Sequence, residues 1–460
     1  MTAPLHELTV REAAGLIAAR DLSPVDYLEC FLERAAALDG RIRAWSNLDA
    51  EGAREQAREL TREAQNGKLR GPLHGIPIGF KEEFAVRGLP DRSEPNGPEG
   101  PVAAEDATAV ARLRQAGAII LGKTFMPGRS GNPPTRNPWN LEHTAGGTSS
   151  GSGAAVGARL APVALGEQTF GSNLRPAAFC GVGAIKPTFG RVSRKGMWAF
   201  SYSQDHPGVI GLTMDDMALV LSVIAGADPL DPTSLDVPPP PDRIDPADVR
   251  PPRIGLVRNF FPDRTEPPMQ ATVEAAAHKL AAAGAAVKDA WLPEEFGLVW
   301  HTHRLVLTAE GATLRARVEA QSMADGGAAP FPPAGLGNPR LGELVPANYY
   351  LHAQRIRRML IDRMSAYFDR EGLDVLLTAV APAPAPKGLQ STGDPILLAP
   401  WSHLGFPAIA VQTGQLSPEG LPLGVQFGAA PLADYHLLCA GSWIERVLGR
   451  LPAPTLAATA

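Results

Sequence analysis

The chain is poor in cysteine and has neither a long apolar run nor a cluster of charges of one sign. Its three cysteines, Cys30, Cys180 and Cys439, are odd in number and widely spaced, so they form neither a disulfide framework nor a zinc site. No apolar run approaches the roughly 18 residues that a membrane span needs. The first residues lack the basic and apolar regions of a signal peptide. We therefore expect a cytoplasmic protein without a membrane partner.

The charge balance excludes a further class of partner. A net charge of -5 over 460 residues, without a segment rich in Lys and Arg, does not suit a nucleic acid partner. Hydrophobic residues make up 44% of the chain and charged residues 20%, which is typical of a globular protein with a sizeable core.

Helical and strand-like segments alternate along the chain. Thr9 and Glu12 form a capping-box pattern, and Ser23 before Pro24 marks the start of another helix, which together predict a helical arm over about residues 1–65. The stretches "HGIPIGF" and "AIIL" have strand patterns, and helix-to-strand alternation recurs at "MQATVEAAAHKLAAAGAAVKDAWL" and "LDVLLTAVAP". This alternation predicts an α/β fold with a largely parallel or mixed sheet.

Two proline-rich stretches, 236–252 and 329–339, are interpreted as surface excursions because the same pattern continues on either side of each. The sequence therefore predicts one domain over residues 1–460. The Ala/Pro-rich tail over residues 451–460 is expected to be frayed.

Two short motifs suggest chemistry that their surroundings do not support. "GAIILGKT", residues 117–124, matches the phosphate-binding P-loop pattern, but its supposed loop is the strand "AIIL" and no helix follows it. "HTH", residues 301–303, holds two histidines without a third ligand at a suitable spacing, so we expect no metal site and no cofactor there.

The stretch "AGGTSSGSG", residues 145–153, combines glycines with four hydroxyl side chains. A flexible linker would be followed by more residues of linker composition. This stretch is followed instead by a helix and the buried strand "PVALGEQ", so it is not interpreted as a linker. That strand ends in "TFGSN", where Gly171 allows a close backbone approach and Ser172 stands beside consecutive N–H groups. Such donors are what a developing oxyanion requires.

The motifs "GGTSSGS", "TFGS" and "RPAAFCG" follow one another in the order typical of the amidase signature family, which the chain resembles. The segments "LHGIPIGFKEEF", "GKTFMP", "TRNPWN", "PWSHLGFPAIAVQTG" and "GLPLGVQF" extend the resemblance over about residues 5–450. It implies a single large domain with a central mixed β-sheet and helices on both faces. It also implies a variable, substrate-shaping region over about residues 230–390.

The resemblance implies a Ser–cis-Ser–Lys triad, which can be placed residue by residue. Ser172 is the nucleophile and Lys81 the base. The bridging position falls on Thr148, where the family has serine; threonine keeps the hydroxyl, and Ser149 is the alternative bridge. A cis peptide bond is expected before the bridging residue, where Gly147 would ease its strain.

The oxyanion hole is assigned to the backbone of four residues in a row: Thr169, Phe170, Gly171 and Ser172. Phe170 replaces a glycine of the family pattern and is expected to line the pocket and narrow the choice of acyl group. Neutral Lys81, favoured by burial among apolar residues, would draw a proton from Ser172 through Thr148. Replacing Ser172 or Lys81 by Ala is expected to abolish hydrolysis and leave the fold intact.

Arg175 follows the nucleophile at the spacing of the malonamidase-like branch of the family, where the arginine binds a substrate carboxylate. An alternative is that Arg175 pairs with an internal carboxylate.

The expected substrate is a small amide, aryl amide or carbamate, cleaved at its C–N bond. The alternatives are the glutaminase subunit of a tRNA-dependent amidotransferase, which needs partner subunits, and a non-catalytic binding protein. Homodimers are common among such folds, and the sequence leaves the oligomeric state open.

Overall fold

A single mixed sheet of eleven strands organises the molecule. The computed structural model describes residues 4–90, 102–127, 134–324 and 339–456. Within them the strands run in the order β1-β3-β2-β4-β6-β5-β10-β11-β9-β7-β8. In chain order their bounds are β1 Trp45–Leu48, β2 Pro77–Lys81, β3 Ile119–Thr124, β4 Val163–Gln168, β5 Gly183–Lys186, β6 His206–Gly211, β7 Arg253–Val257, β8 Ala286–Ala290, β9 Val375–Ala379, β10 Ala408–Leu416 and β11 Pro422–Gly428.

Strand direction divides the sheet into three parts. Strands β3, β2 and β4 are parallel neighbours, and so are β9, β7 and β8 at the far end. The strands between them pair antiparallel, from β4 through β6, β5, β10 and β11 to β9. The predicted mixed sheet is therefore confirmed.

Twelve α-helices are described around this sheet. Their bounds are α1 Val10–Ala19, α2 Pro24–Ile42, α3 Ala50–Gln65, α4 Thr108–Gln115, α5 Ser150–Gly157, α6 Leu174–Phe179, α7 Met214–Ile224, α8 Pro267–Ala282, α9 Val299–Ala324, α10 Ala347–Glu371, α11 Ala399–Leu404 and α12 Asp434–Leu448. No helix in the described part of the chain is both long and apolar enough to cross a membrane.

Helices cover both faces of the sheet. Gly424 of β11 makes room for Ala178 of α6, because a Cβ at Gly424 would lie 3.0 Å from the Cβ of Ala178. On the opposite face Gly441 of α12 lies against the side chain of Ile409 of β10, 2.6 Å from where its Cβ would be. Small residues at these points let the helices approach the strands closely.

The N-terminal arm begins as predicted and then departs from the prediction. Thr9 and Glu12 make the full capping box of α1, and Ser23 caps α2 with Pro24 in its first turn. Between α2 and α3, however, β1 pairs antiparallel with β3 and adds an edge strand to the sheet. The arm is therefore part of the central sheet rather than a purely helical attachment.

The other local expectations have mixed outcomes. The stretch 117–124, which resembles a P-loop in sequence, contains β3, as expected from the strand pattern of "AIIL". The tail is packed rather than frayed over 451–456, because Leu451 is buried and its N–H donates to Gln412 Oε1 at 3.0 Å. Residues 457–460 and most of the proline-rich stretch 329–339 lie outside the described residues.

Candidate active site

The ends of two neighbouring parallel strands bring the predicted catalytic segments together. Lys81 is the last residue of β2, and β4 pairs with β2 in parallel before it ends at Gln168. The carboxyl ends of parallel strands share one edge of a sheet, where open α/β folds bind their ligands. Ser172 lies just beyond that edge, in the turn between β4 and α6.

The turn that carries Ser172 is fixed by its neighbours. Gln168 Oε1 accepts from the N–H groups of Asn173 at 3.3 Å and Leu174 at 3.1 Å. Gly171 has no room for a side chain, because a Cβ there would lie 2.5 Å from Leu398 Cδ1. A turn held on both sides in this way keeps its backbone donors at fixed positions.

Three consecutive N–H groups of this turn are free. Those of Phe170, Gly171 and Ser172 donate to no other residue in the described part of the chain. The N–H of Thr169, immediately before these three, likewise donates to no described residue, and its carbonyl accepts from His303 Nε2 at 3.1 Å. Fixed N–H groups without partners are suited to hold an oxyanion.

The glycine/hydroxyl segment lies directly against Ser172, the predicted nucleophile. The N–H of Ser149 donates to the carbonyl of Ser172 at 3.1 Å. Gly147 has a φ of 59°, and a Cβ there would come within 2.7 Å of Pro176 Cδ and 3.1 Å of Ser172 Cα. Glycine is therefore required at this position. The peptide bond before Thr148 is trans, so the expectation of a cis bond there is wrong.

The two candidate bridging hydroxyls differ in their partners. Ser149 Oγ is buried, accepts from the N–H of Glu167 at 3.1 Å and donates to the carbonyl of the same residue at 3.2 Å. The hydroxyl of Thr148, which is half-buried, hydrogen-bonds to no residue that the structure describes. Ser149 thus joins the segment to β4, and Thr148 is left with an uncommitted hydroxyl. Among the described residues no side-chain hydrogen bond joins either hydroxyl to Ser172 or to Lys81, so the predicted contacts of the triad are not formed in this structure.

Lys81 is fully buried, but its neighbours are charged rather than apolar. Its Nζ donates to Glu167 Oε2 at 2.8 Å and lies 3.0 Å from Glu83 Oε1, without the alignment of a hydrogen bond in the second case. Burial lowers the pKa of Lys81, but attraction to Glu167 and Glu83 outweighs it, and the net shift is upward. The expectation that Lys81 is a neutral amine among apolar residues is therefore wrong.

The same contacts change the expected effect of removing the lysine. Glu167 is buried, so without the Lys81 ammonium it would be left without its counter-ion. Removing one partner of a buried pair is strongly destabilising. The expectation that Lys81→Ala leaves the fold intact does not hold.

A third buried carboxylate, which the sequence patterns did not reveal, completes the cluster around Lys81. Thr169 Oγ1 lies 2.8 Å from Glu167 Oε1 and 2.7 Å from Asp205 Oδ1. Burial and the negative charge of neighbouring carboxylates raise the pKa of Glu83 and of Asp205 to about 8. The sequence offers one signal of such a cluster, since Glu167 stands in an otherwise apolar strand whose pattern predicts burial.

Aromatic side chains form one wall next to the turn. The ring of Phe170 lies 4.4 Å from that of His303 and 6.3 Å from that of Trp300, measured between centroids, and it packs with Leu307 and Ala399. Burial lowers the pKa of His303 to about 3, and its Nδ1 has no partner within the described residues.

The two histidines of the "HTH" motif are placed differently. His301 is exposed on α9, whereas His303 is buried beside Phe170. Among the residues that the structure describes, no group of three or more His, Cys, Asp or Glu side chains is arranged to hold a metal ion.

Arg175 is a buried cation without a carboxylate partner. Its Nη2 lies 3.4 Å from Thr392 Oγ1, while Nε and Nη1 have no hydrogen-bond partner in the described part of the chain. Burial lowers its pKa to about 10, against the attraction of Asp394. No described carboxylate lies within ion-pair distance of this guanidinium, which does not favour the alternative of an internal pair.

Comparisons with known proteins identify the family of the chain. The model of the family described as Amidase matches residues 26–438. The chain is 36% identical to the A subunit of the glutamyl-tRNA(Gln) amidotransferase of Roseiflexus castenholzii (strain DSM 13941 / HLO8), with 96% of each chain covered.

Solved structures share the fold over nearly the full length. The native peptide amidase of Stenotrophomonas maltophilia is 30% identical, with a TM-score of 0.82 over 98% of this chain and 99% of that one. A chain from a vestigial protein complex, studied for the evolutionary origins of an s-triazine catabolic enzyme, is 30% identical with a TM-score of 0.86, over 97% of this chain and 100% of that one. This chain belongs to the amidase family.

Proposed function

We propose that the chain hydrolyses a C–N bond through an acyl-enzyme on Ser172. The observation that carries this proposal is the turn after β4, where Ser172 stands beside free N–H groups at the edge to which β2 also brings Lys81. A nucleophile with donors for the oxyanion, next to a titratable side chain and a hydroxyl segment, is the constellation of serine-based acyl transfer.

The proposed reaction runs in two halves. Ser172 Oγ attacks the amide carbonyl as its proton leaves through the hydroxyl of Thr148 toward Lys81, and the N–H groups of Phe170, Gly171 and Ser172 hold the oxyanion. The proton returns to the leaving nitrogen, which departs as an amine. Water then attacks the acyl-enzyme by the same route and frees Ser172. Thr148 is favoured as the bridge because the hydroxyl of Ser149 is committed to the backbone of Glu167.

The leading substrate class is a small amide, aryl amide or carbamate. The wall formed by Phe170, Trp300 and Leu307 offers apolar contact beside the turn. Arg175, three residues after the nucleophile, would hold a carboxylate of the substrate through its unpartnered Nε and Nη1. Replacing Arg175 by Met should then raise KM for an amide that carries a carboxylate and leave KM for an uncharged amide unchanged.

A second candidate is a glutaminase subunit of a tRNA-dependent amidotransferase. Its support is specific, because relatives at 34–36% identity are the A subunits of glutamyl-tRNA(Gln) amidotransferases. Glutamine carries both an amide and a carboxylate, so Arg175 suits it as well. The named relatives support this second candidate better than the first, whereas Phe170 in place of the small residue of the family pattern favours the first.

A substrate panel separates the two candidates. The purified chain is assayed with glutamine, a half-amide of a dicarboxylic acid, an anilide and a carbamate, and Ser172→Ala is the control. Turnover of the anilide or carbamate by the isolated chain supports the first candidate. Glutamine hydrolysis alone, increased by added amidotransferase partner subunits, supports the second. Ser172-dependent turnover of none of these would contradict the proposed function.

A further inference from the structure

Lys81 is in contact with two buried carboxylates, those of Glu167 and Glu83. Its ammonium is completely buried, donates to Glu167 Oε2 at 2.8 Å and lies 3.0 Å from Glu83 Oε1. An ammonium has three donors and no lone pair. In this arrangement Lys81 can receive a proton from a neighbouring hydroxyl only if it gives one up at the same time, and Glu167 is the acceptor to which it is already aligned.

Proton counting at Thr169 identifies which of the buried carboxylates is ready to accept. Its single hydroxyl lies within hydrogen-bond distance of both Glu167 Oε1 and Asp205 Oδ1, yet it carries only one hydrogen. The hydroxyl can donate to only one of the two carboxylates, so the other must carry a proton to donate back to Thr169. Glu167 is in contact with the Lys81 ammonium and Asp205 has no such contact among the described residues, so the proton lies on Asp205. The Ser201 N–H holds the other oxygen of Asp205 at 2.9 Å. The chain of hydrogen bonds then ends on ionised Glu167.

We infer that Glu167 is a positioning residue that accepts the serine proton through Lys81, so that Lys81 relays the proton instead of storing it. As Ser172 Oγ bonds to the carbonyl carbon, its proton moves to the hydroxyl of Thr148. The proton of that hydroxyl moves to Lys81 Nζ, and Lys81 passes one of its own to Glu167 Oε2. The reverse transfers protonate the leaving nitrogen, so no proton is gained or lost over the cycle. This inference rests on the proposed function.

The charged groups around Glu167 come from three elements. Lys81 ends β2 and Glu83 lies in the turn that follows, and Asp205 precedes β6, whose first residue pairs with the last residue of β4. Arg194 adds an attraction to Asp205 from farther away. The raised pKa of Lys81 agrees with an ammonium at this position, and that of Asp205 agrees with a carboxyl that keeps its proton at neutral pH.

Glu167→Gln tests the inference because the two roles of Glu167 predict opposite results. If Glu167 accepts the proton, the variant should lose at least about 100-fold in kcat, the usual contribution of a general base. The acid limb of its kcat/KM profile should move to higher pH, since only a deprotonated Lys81 could then serve. If Glu167 merely holds Lys81 in its charged form, the substitution should lower the pKa of Lys81, raise kcat at neutral pH and move the acid limb to lower pH. The latter result would overturn the inference.

A half-buried carboxylate on another element provides the matched control. Glu445→Gln on α12 should leave the kcat/KM profile unchanged.

If Glu167→Gln does not fold, the ionisation of Lys81 is measured in the unaltered protein from the NMR chemical shift of ¹³Cε-labelled lysine, and Lys81→Arg serves to assign the signal. A charged Lys81 at pH 7 is expected, and a neutral one would overturn the inference. If the inference alone is wrong, Ser172 still becomes labelled by a serine-directed probe; without that labelling the proposed function fails as well.

Discussion

Lys81 Nζ and Glu167 Oε2 lie 2.8 Å apart, at the ends of two adjacent parallel strands and out of contact with solvent. The parallel pairing of β2 with β4 brings the two side chains together, because Phe80 stands opposite Leu165, one residue before Lys81 and two before Glu167. The lysine proposed to take part in the reaction is therefore also part of a buried ion cluster, and we expect its removal to affect both chemistry and stability.

The first prediction concerns that double role. Lys81→Met should abolish turnover and lower the free energy of unfolding by about 3–5 kcal/mol, because Glu167 is left buried without its counter-ion. Adding Glu167→Gln should recover part of the stability but none of the activity. Urea denaturation of the single and double variants measures this. Equal stability of Lys81→Met and the unaltered protein would show that the pair is not coupled to folding.

The second prediction separates the two candidate bridging hydroxyls. Thr148→Ala should lower kcat by at least about 100-fold, as expected for loss of a proton-transfer group, with little change in thermal stability, and Thr148→Ser should keep most of the activity. Ser149→Ala should instead lower stability by about 1–3 kcal/mol, because the N–H and carbonyl of Glu167 lose their partner. The reverse pattern would assign the bridge to Ser149.

The third prediction concerns the aromatic wall. Phe170→Ala should raise KM for an aryl amide about tenfold, since part of a ring contact worth about 1.5–3 kcal/mol is lost, and should admit bulkier acyl groups. Acetamide hydrolysis should be much less affected because so small an acyl group does not reach the wall. Phe170→Leu serves as the intermediate control. An equal loss for both substrates would mean that Phe170 shapes the oxyanion turn rather than the pocket.

The fourth prediction follows from the raised pKa of Glu83, about 8 against an ordinary 4.5. A carboxyl with a raised pKa in the folded state keeps its proton there, so its contribution to stability is complete below about pH 4.5 and is lost as the pH rises to about 8. Glu83→Gln should therefore flatten the fall in melting temperature over this range. Glu445, whose pKa burial also raises to about 8, provides the control.

Glu445→Gln should flatten the same melting curve without changing the pH profile of activity, because Glu445 lies on α12. Glu83→Gln should change both, since Glu83 faces Lys81. Identical pH dependence of melting in Glu83→Gln and the unaltered protein would show that Glu83 is ionised in the folded state.

Local patterns predicted the segments of the site, and long-range pairing supplied what they missed. Ser172 and Gly171 were predictable because a buried strand, a glycine turn and a helix follow one another within a few residues. Asp205 was not, because it lies 36 residues from Thr169 in sequence and reaches it only through the antiparallel pairing of β4 with β6. The charge state of Lys81 depends on the pairing of β2 with β4, which brings Glu167 to it, so sequence patterns could not determine it.

The edge strand β1 escaped prediction for a similar reason. It is four residues long, carries polar Ser46 and Asn47, and is held by pairing with β3 rather than by its own pattern. The packed tail at Leu451 likewise depends on a distant partner, Gln412.

The most direct test of the central claim is covalent labelling of the nucleophile. The protein is incubated with a fluorophosphonate or sulfonyl fluoride probe, digested, and the modified residue is located by mass spectrometry. The account predicts one adduct, on Ser172, absent from Ser172→Ala and strongly reduced in Thr148→Ala. An adduct on another serine, or none in a folded protein that hydrolyses amides, would contradict it.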